Sequence, residues 1–325
     1  MLDTTIQGFP QINPAYDRTF CPNRLSLGLV VPLEAYPSGA VPTMISHIER
    51  AQLAERLGFA ALWLRDVPFN VPSFGDAGQT YDPFVYLGAL ATATMDIALG
   101  VASVILPLRH PAHMAKAAAT ADQLSGGRLL LGVASGDRPE EYPAMKMDFP
   151  SRGERFRDSV AYIRSMTQDY PKSSTAQGNL VGDVDMLPKP IGGRLPLLVT
   201  GGSQQSPDWV AQNGDGWMTF PRGLLSQGRA VADYRRRIAE AGQQDKPVVQ
   251  SLYIDLDANP KAPPQSIHLG FSAGMHYLRN YLAGLQDLGV NHVALNLRFN
   301  SAPIEDTMAR LADELLPEFS NKDLV

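Results

Sequence analysis

A carboxylate stands directly after one of the short apolar runs that recur along this chain. Asp66 follows FAALWL (59–64) and the basic Arg65. At the end of a strand, such a side chain could act as a general base or accept an N–H of a bound molecule. Pairing with Arg65, or capping of a turn, is the alternative and purely structural interpretation.

Serines and glycines follow two further apolar runs, RLLLGVAS (128–135) and LPLLVT (195–200). The residues concerned are Ser135, Gly136, Asp137, Gly201, Gly202, Ser203 and Ser206. Glycine opens the backbone to a ligand, and the amides at a helix start bind anions. Ser206 fits a helix N-cap with Pro207 in the first helical position, although Asp208 already offers its charge to the helix dipole. Each segment is therefore either an anion cradle or an ordinary turn.

Two arginines, Arg152 and Arg155, fall in the first turns of a helix predicted over 151–168. A cation in this position opposes the helix dipole unless an anion compensates for it. A phosphate would do so through paired hydrogen bonds, whereas a solvated face with Glu154 is equally compatible with the pattern.

Other chemical motifs are weak or missing. His110 and His113 could share a helix face, but the chain has only six histidines, one cysteine and no HExxH pattern, so we expect no metal site. The sequence also lacks GxxxxGK[ST], GxSxG and CxxC, and it has no GxGxxG after the first apolar run. A nucleoside triphosphate site, a Rossmann dinucleotide site, an acyl-serine mechanism and structural zinc are therefore disfavoured.

The apolar runs predict the scaffold, because most are nearly continuous, as in a parallel sheet covered on both faces. Eight are predicted to be strands, at 25–31, 59–64, 97–106, 128–135, 195–200, 216–220, 248–256 and 292–299. Helical spacing recurs between them, clearest in 151–168 and 224–241. Gly58 and Gly289 each follow a helical segment and precede a strand, where a left-handed residue ends a helix. The alternation predicts a (β/α)8 TIM barrel with insertions, and an open doubly wound sheet is the alternative.

The polar start of the chain, residues 1–22, is interpreted as an irregular N-terminal arm packed on the body or on a second subunit. No linker divides residues 23–325, which we expect to form a single domain. Three long connections, 65–81, 169–194 and 257–274, are candidates for functional loops, with a small hairpin expected within 174–187. In a barrel of this kind, the strand ends and the loops that follow them form the active site.

Composition limits the class of partner. The chain has 325 residues, is 44% hydrophobic and carries a net charge of −5 without charged blocks, which disfavours nucleic acid or an anionic membrane as the main partner. The single cysteine allows no intrachain disulfide, and we find neither a signal-peptide pattern nor an apolar run of the roughly 20 residues that a membrane helix needs. We expect a cytoplasmic protein that acts on a small molecule.

Four segments together resemble the bacterial luciferase-like superfamily of flavin and deazaflavin oxidoreductases, over roughly residues 25–320. They are AERLGFAALWL, IALGVASVILPLRHPAHMAKAAATADQLSGGRLLLGVASG, RGERF and LPLLVTGGSQQSPDWVAQNGDGWMTFP. Their order and spacing are specific for the superfamily but not for a substrate. The resemblance implies a luciferase-like barrel with the flavin at the carboxyl ends of the strands, and a homodimer.

The resemblance also implies site residues. A non-prolyl cis peptide would lie beneath the flavin ring, between Ala102 and Ser103. The phosphate would be bound by Ser203 and Ser206, by the loop 135–137, and by either Arg152 or Arg155. Gly201 and Gly202 would open the backbone beside it.

Two positions depart from the family pattern. Luciferases and several relatives have a catalytic histidine after the second strand, where this chain has Val67. Luciferases also have a reactive cysteine after the fourth strand, where this chain has Ala134. Light emission and a histidine-assisted oxidation are therefore not expected, and Asp66 is left as the candidate catalytic residue. The segment RDVPFN also lacks the short histidine motif of members that use F420, which favours FMN.

The expected function is that of a flavin-dependent monooxygenase or related oxidoreductase. Reduced FMN from a separate flavin reductase would react with O2, and a small organic substrate would be oxidised. F420-dependent hydride transfer and flavin binding without turnover are the alternatives. Aromatic side chains that are candidates for the pocket, unless they belong to the core, are Trp63, Phe69, Phe74, Trp217 and Phe220.

Overall fold

The computed structural model describes residues 8–320, and their strands are dominated by one closed barrel. The strands are β1 Ser26–Val30, β2 Ala61–Leu64, β3 Ala98–Ile105, β4 Leu129–Ala134, β5 Lys172–Thr175, β6 Gly178–Val181, β7 Leu197–Thr200, β8 Gly216–Thr219, β9 Val248–Leu256, β10 Gln265–Ile267, β11 Gly270–Ala273 and β12 His292–Asn296. Eight of them pair in parallel in the order β1-β2-β3-β4-β7-β8-β9-β12, and β12 pairs with β1 to close the ring. All eight predicted strands are present, and the closure excludes an open doubly wound sheet.

Helices surround the barrel. They are α1 Pro14–Thr19, α2 His47–Leu57, α3 Pro83–Ala93, α4 Pro111–Leu124, α5 Glu141–Ala144, α6 Arg152–Met166, α7 Pro207–Asn213, α8 Leu224–Glu240, α9 Met275–Asp287 and α10 Ile304–Leu315. The helices predicted over 151–168 and 224–241 are confirmed as α6 and α8. Gly58 and Gly289 have φ of 94° and 88°, the left-handed conformation predicted for a residue that ends a helix.

The amino end of the barrel is filled by side chains and covered by α1. The arm was expected to be irregular, but residues 14–19 form this helix, and residues 1–7 lie outside the described residues. Tyr16 and Phe20 are buried against the inward side chains of the barrel, among them Trp63. A Cβ on Gly100 would come within 2.3 Å of the Trp63 ring, so this small residue makes room for the core.

Two hairpins interrupt the barrel pattern. The one expected within 174–187 is formed by β5 and β6 and lies slightly earlier, at 172–181. The second, β10 and β11, was not predicted, because its strands are short and mostly not buried. Its turn residue Leu269 has φ of 50°, and β11 pairs in parallel with the carboxyl half of β9, so the hairpin stands at the carboxyl edge of the barrel.

None of the helices in residues 8–320 combines the length and the apolar character that crossing a membrane would require.

Candidate functional site at the carboxyl end of the barrel

A cleft of about 420 Å³ opens where the barrel strands end, a volume within the range of small-molecule sites. It brings together nine residues proposed from the sequence: Asp66, Ala102, Ser103, Ser135, Gly136, Asp137, Gly201, Gly202 and Ser203. The other three, Arg152, Arg155 and Ser206, do not line it. The carboxyl edge is thus where the segments singled out above converge.

The floor of the cleft consists of small side chains. The Ala102–Ser103 peptide bond is cis, as the resemblance implies, and the pairing of β3 with β4 changes register between Val101 and Val104. The Ser103 hydroxyl forms a hydrogen bond with that of Thr200 at the end of β7. With Ala134 and Ala294 beside them, these residues leave a broad space above the barrel core.

One wall is the turn after β7. Gly201, Ser203 and Gln204 have φ of 56°, 45° and 60°, so the chain reverses tightly here. The Ser203 hydroxyl donates to the Thr200 carbonyl at 2.7 Å and is therefore already used as a donor. A Cβ on Gly201 would lie in ordinary contact with the Phe220 ring, at 3.6 Å, so the left-handed backbone and not crowding explains the glycine here.

Ser206 has a structural task outside the cleft. Its hydroxyl accepts a hydrogen bond from the Trp209 amide at 3.2 Å and caps α7, as its position in the sequence predicted. Asp208 forms an ion pair with Arg237 of α8 on the surface. The Asp208 carboxylate, which could have competed with an anion for the start of α7, is therefore paired with α8 instead.

Arg152 and Arg155 lie behind the cleft wall. The Arg152 guanidinium stacks 3.8 Å from the centre of the Phe149 ring, and Arg155 donates to the Pro107 carbonyl at 3.3 Å. Between them, Gly153 accepts a hydrogen bond from the Gln205 side chain at 2.7 Å. The first turn of α6 thus supports the turn 201–205 from behind. The two guanidinium groups contact the protein itself, although the Nε of each is buried without a hydrogen bond among the described residues.

Asp66 is bound on both oxygens. Its carboxylate accepts from the Arg109 guanidinium at 2.8 and 3.1 Å, and from the Ile105 amide of β3 at 3.1 Å. Asp66 thus forms an ion pair, as the structural interpretation predicts, although the partner is Arg109 and not the neighbouring Arg65. These three hydrogen bonds fix β3 beside the cleft and leave Oδ1 with a single partner, so the role of Asp66 as a general base stays a prediction.

The long loop 65–81 is fastened over the barrel by the buried Asp76. Its carboxylate binds Arg65 at 2.6 Å and Arg298 at 3.1 Å, and it accepts from the Tyr36 hydroxyl and the Gly78 amide. Burial alone would raise the pKa of Asp76, but Arg65, the Gly78 amide and Arg298 outweigh it and lower that pKa. The Asp76 carboxylate is therefore ionised, and its ion pairs and hydrogen bonds hold this loop in place.

Of the remaining residues considered from the sequence, some line the cleft and others belong to the core. Val67, Ala134 and Phe220 line the cleft. Trp63 is fully buried in the barrel interior, and the Trp217 ring packs on Tyr234 of α8, so neither belongs to the pocket. Phe69 and Phe74 are partly exposed on the loop 65–81.

The two histidines considered for a metal serve a helix start. His110 accepts from the Ala112 amide at 3.2 Å at the beginning of α4, and its ring lies against that of His113. Within residues 8–320, no group of three or more His, Cys, Asp or Glu side chains is arranged to bind a metal ion.

Seven polar residues of the cleft were missed by the sequence reasoning: Arg65, Arg138, Thr200, Gln204, Ser251, Tyr253 and Asn296. Ser251 and Tyr253 alternate along β9 with outward core residues, so the inward positions of a predicted barrel strand would have identified them. Arg138 directly follows the segment 135–137 that was singled out, and only its side-chain direction was unknown.

Comparison with known proteins gives the family. The family model described as luciferase-like monooxygenase matches residues 20–316. The chain belongs to this family. Uncharacterized protein Rv0953c of Mycobacterium tuberculosis is 31% identical over 194 residues, which is 55% of this chain and 68% of that protein. The FMNH2-dependent dimethylsulfone monooxygenase of Pseudomonas putida is 30% identical over 220 residues, 65% of this chain and 58% of that protein.

Two solved structures share the barrel. Monooxygenase RslO1 from Streptomyces bottropensis superposes with a TM-score of 0.76 at 20% identity, covering 91% of this chain and 100% of that one. An F420-dependent secondary alcohol dehydrogenase gives a TM-score of 0.73 at 16% identity, covering 90% of this chain and 98% of that one. At these identities the likeness establishes the fold alone.

Proposed function

We propose that this luciferase-like protein is an FMN-dependent monooxygenase that receives reduced FMN from a separate flavin reductase and oxidises a small organic substrate. The observation that carries the proposal is the cleft itself. Its floor of small residues around Ala102 and Ser103 lies beside two glycine-containing turns, at the end of the barrel where active sites form. The FMNH2-dependent relative supports reduced flavin as the cofactor.

The residues of the cleft fit the two ends of FMN. A flat ring system needs space without projecting side chains, which Ala102, Ala134 and Ala294 provide, and apolar surfaces such as Val67 and Phe220. The phosphate dianion needs hydrogen-bond donors and open backbone, which we assign to the turns 135–137 and 201–204. The Ser203 hydroxyl already donates to Thr200, so in this assignment backbone groups and not the serine side chain carry most of the phosphate binding.

Bound FMN would supply the chemistry with O2, and the chain's own residues would position the reactants and exclude water. The cis segment 102–103 and the Ser103–Thr200 hydroxyl pair define the floor. Asp66 acts as a positioning residue through Arg109 and the Ile105 amide. Phe220 and Leu269 lie at the exposed rim and would limit access of water to the reacting atoms.

Anaerobic titration with reduced FMN and, separately, with F420 tests the choice of cofactor. We expect reduced FMN to bind with a dissociation constant in the micromolar range and F420 to bind much more weakly. Loss of an added organic substrate with a flavin reductase, NADH and O2 then distinguishes an oxygenase from a protein that binds flavin without turnover. The same mixture without the protein is the control, because free reduced FMN consumes O2 by itself. Tight binding of F420 without binding of FMN would refute the proposal.

We also propose that the protein is a homodimer, as the resemblance implies. Val85 on α3 and Met95 just beyond it are apolar and strongly exposed in the single chain, consistent with a covered surface. Light scattering during size-exclusion chromatography should give twice the chain mass of 35.3 kDa. A mass equal to that of one chain would contradict this.

A further inference from the structure

A buried arginine at the wall of the cleft lacks a full set of partners. Arg138, in the loop after β4, is only 5% exposed and lines the cleft. One terminal nitrogen donates to the Asp76 carbonyl at 3.1 Å, while the other, Nη1, has no hydrogen-bond partner among the described residues. Its guanidinium also lies over the Phe74 ring at 4.8 Å, so the side chain is directed toward the loop 65–81.

The nearest acid neutralises this arginine poorly. Glu141 of α5 is 3.9 Å from Nη1, too far for a hydrogen bond, and both of its carboxylate oxygens are buried without a regular hydrogen bond. Burial raises the pKa of Glu141 to about 7, against the opposing effects of Arg138 and the Phe69 amide, and Asp66 and Asp137 add to the rise. Near neutral pH a large fraction of Glu141 is therefore uncharged.

The other charges of this wall increase the deficit of negative charge. Asp76 is already bound to Arg65 and Arg298, at 2.6 and 3.1 Å. Burial and the neighbouring charge of Arg65 lower the pKa of Arg138 by more than Glu141, Asp137 and Asp76 raise it, so the surrounding acids do not fully compensate its charge. An anion bound in the cleft beside Arg138 would supply that charge.

We propose that the substrate is an organic anion and that the Arg138 guanidinium binds its carboxylate or equivalent oxyanion. The inference rests on the proposed function in one respect, namely that the anion bound by Arg138 is taken to be the substrate of the proposed enzyme. The phosphate of the cofactor is the other source of such an anion. Arg138 directly follows the turn 135–137, which is also assigned to the phosphate, but its hydrogen-bond, ring and ion-pair contacts are with Asp76, Phe74 and Glu141 and not with either phosphate turn, which favours the substrate.

Calorimetric titration with benzoate and with its neutral counterpart benzamide tests the proposal on the full chain, with and without FMN. We expect the wild type to bind benzoate about tenfold more tightly than benzamide, and Arg138→Met to abolish this preference. Arg222→Met is the matched control, since that rim guanidinium already donates to Gln227 and to the Phe220 carbonyl, and it should keep the preference. If Arg138→Met does not fold, Arg138→Lys is used instead. It keeps the positive charge but not the planar guanidinium, and its affinity for benzoate should be lower than that of the wild type by about threefold or more.

Two further titrations separate the sources of the anion. FMN should bind wild type and Arg138→Met within about twofold of each other, so that the loss is confined to benzoate. Glu141→Gln, which cannot become an anion, should bind benzoate more tightly than the wild type does at pH 8. Equal binding of benzoate and benzamide by the wild type, or a loss of FMN binding but not of benzoate binding in Arg138→Met, would overturn the proposal. Neither result depends on turnover, so both are distinct from failure of the monooxygenase reaction.

Discussion

The chain of Trp63, His292 and Ser26 inside the barrel and the wall of the cleft differ in how completely their buried polar groups are bonded. At the amino end, Trp63 Nε1 lies 2.9 Å from His292 Nε2, His292 Nδ1 lies 2.7 Å from the Ser26 hydroxyl, and that hydroxyl donates to the Thr19 carbonyl. At the carboxyl end, Arg138 and Glu141 retain polar atoms that have no hydrogen bond in the described part of the chain. Each unpaired buried group costs about 1–3 kcal/mol, which a ligand can recover. The bonded side chains at the amino end therefore stabilise the fold, whereas the wall of the cleft retains polar atoms that a ligand can bind.

The amino end should show the largest effect on stability. Trp63→Ala removes a fully buried ring and the donor to His292, so the free energy of unfolding should fall by about 3–5 kcal/mol. Urea denaturation followed by circular dichroism measures it. Trp217→Ala is the control, because that ring is only partly buried, and it should cost clearly less. Equal losses would mean that the amino-end core is not the stabilising one.

Asp66 lies at the carboxyl end, but its hydrogen bonds give it a structural role like that of the bonded residues at the amino end. Asp66→Asn should lower the free energy of unfolding by about 1–3 kcal/mol, because Arg109 and the Ile105 amide lose a charged acceptor. Arg109→Gln should cost a similar amount, and the double variant should cost less than the sum. Loss of turnover with an unchanged unfolding midpoint in Asp66→Asn would instead indicate a general base.

Acidification should weaken the amino end through His292. Burial lowers the pKa of this histidine from 6.5 to about 3. The unfolded chain therefore takes up a proton below about pH 6.5 that the folded protein refuses, and stability falls as the pH drops from 6.5 toward 3. His292→Gln can still accept from Trp63 and donate to Ser26, and its unfolding midpoint should fall less steeply over this range. Parallel pH profiles of the two proteins would show that His292 does not titrate as described.

The scaffold was predictable because barrel strands buried on both faces leave continuous apolar runs, and helix ends leave glycines such as Gly58 and Gly289. The convergence of Ser135–Asp137 with Gly201–Ser203 followed from the barrel, which places all strand ends together. Side-chain direction was not predictable. Trp63 and Ser103 both belong to barrel strands, yet one fills the core and the other lines the cleft.

Long-range pairing was equally hidden from the sequence. Asp66 pairs with Arg109, which lies 43 positions away, and not with the adjacent Arg65. Asp76 joins Arg65 to Arg298 across the barrel mouth, and no local pattern marks it. The hairpin of β10 and β11 was not predicted because β11 is held by pairing with β9, and β10 by pairing with β11, not by an apolar run of their own.

The most direct test of the account is whether FMN binds in the cleft at the carboxyl end. Ala134→Phe places a large ring at the partly exposed floor, and Ala232→Phe makes the same change on the exposed face of α8. Titration with reduced FMN should give wild-type affinity for Ala232→Phe and a loss of about a hundredfold for Ala134→Phe, with the unfolding midpoints of both preserved. Wild-type FMN affinity in a folded Ala134→Phe protein would contradict the assignment of the cleft as the flavin site.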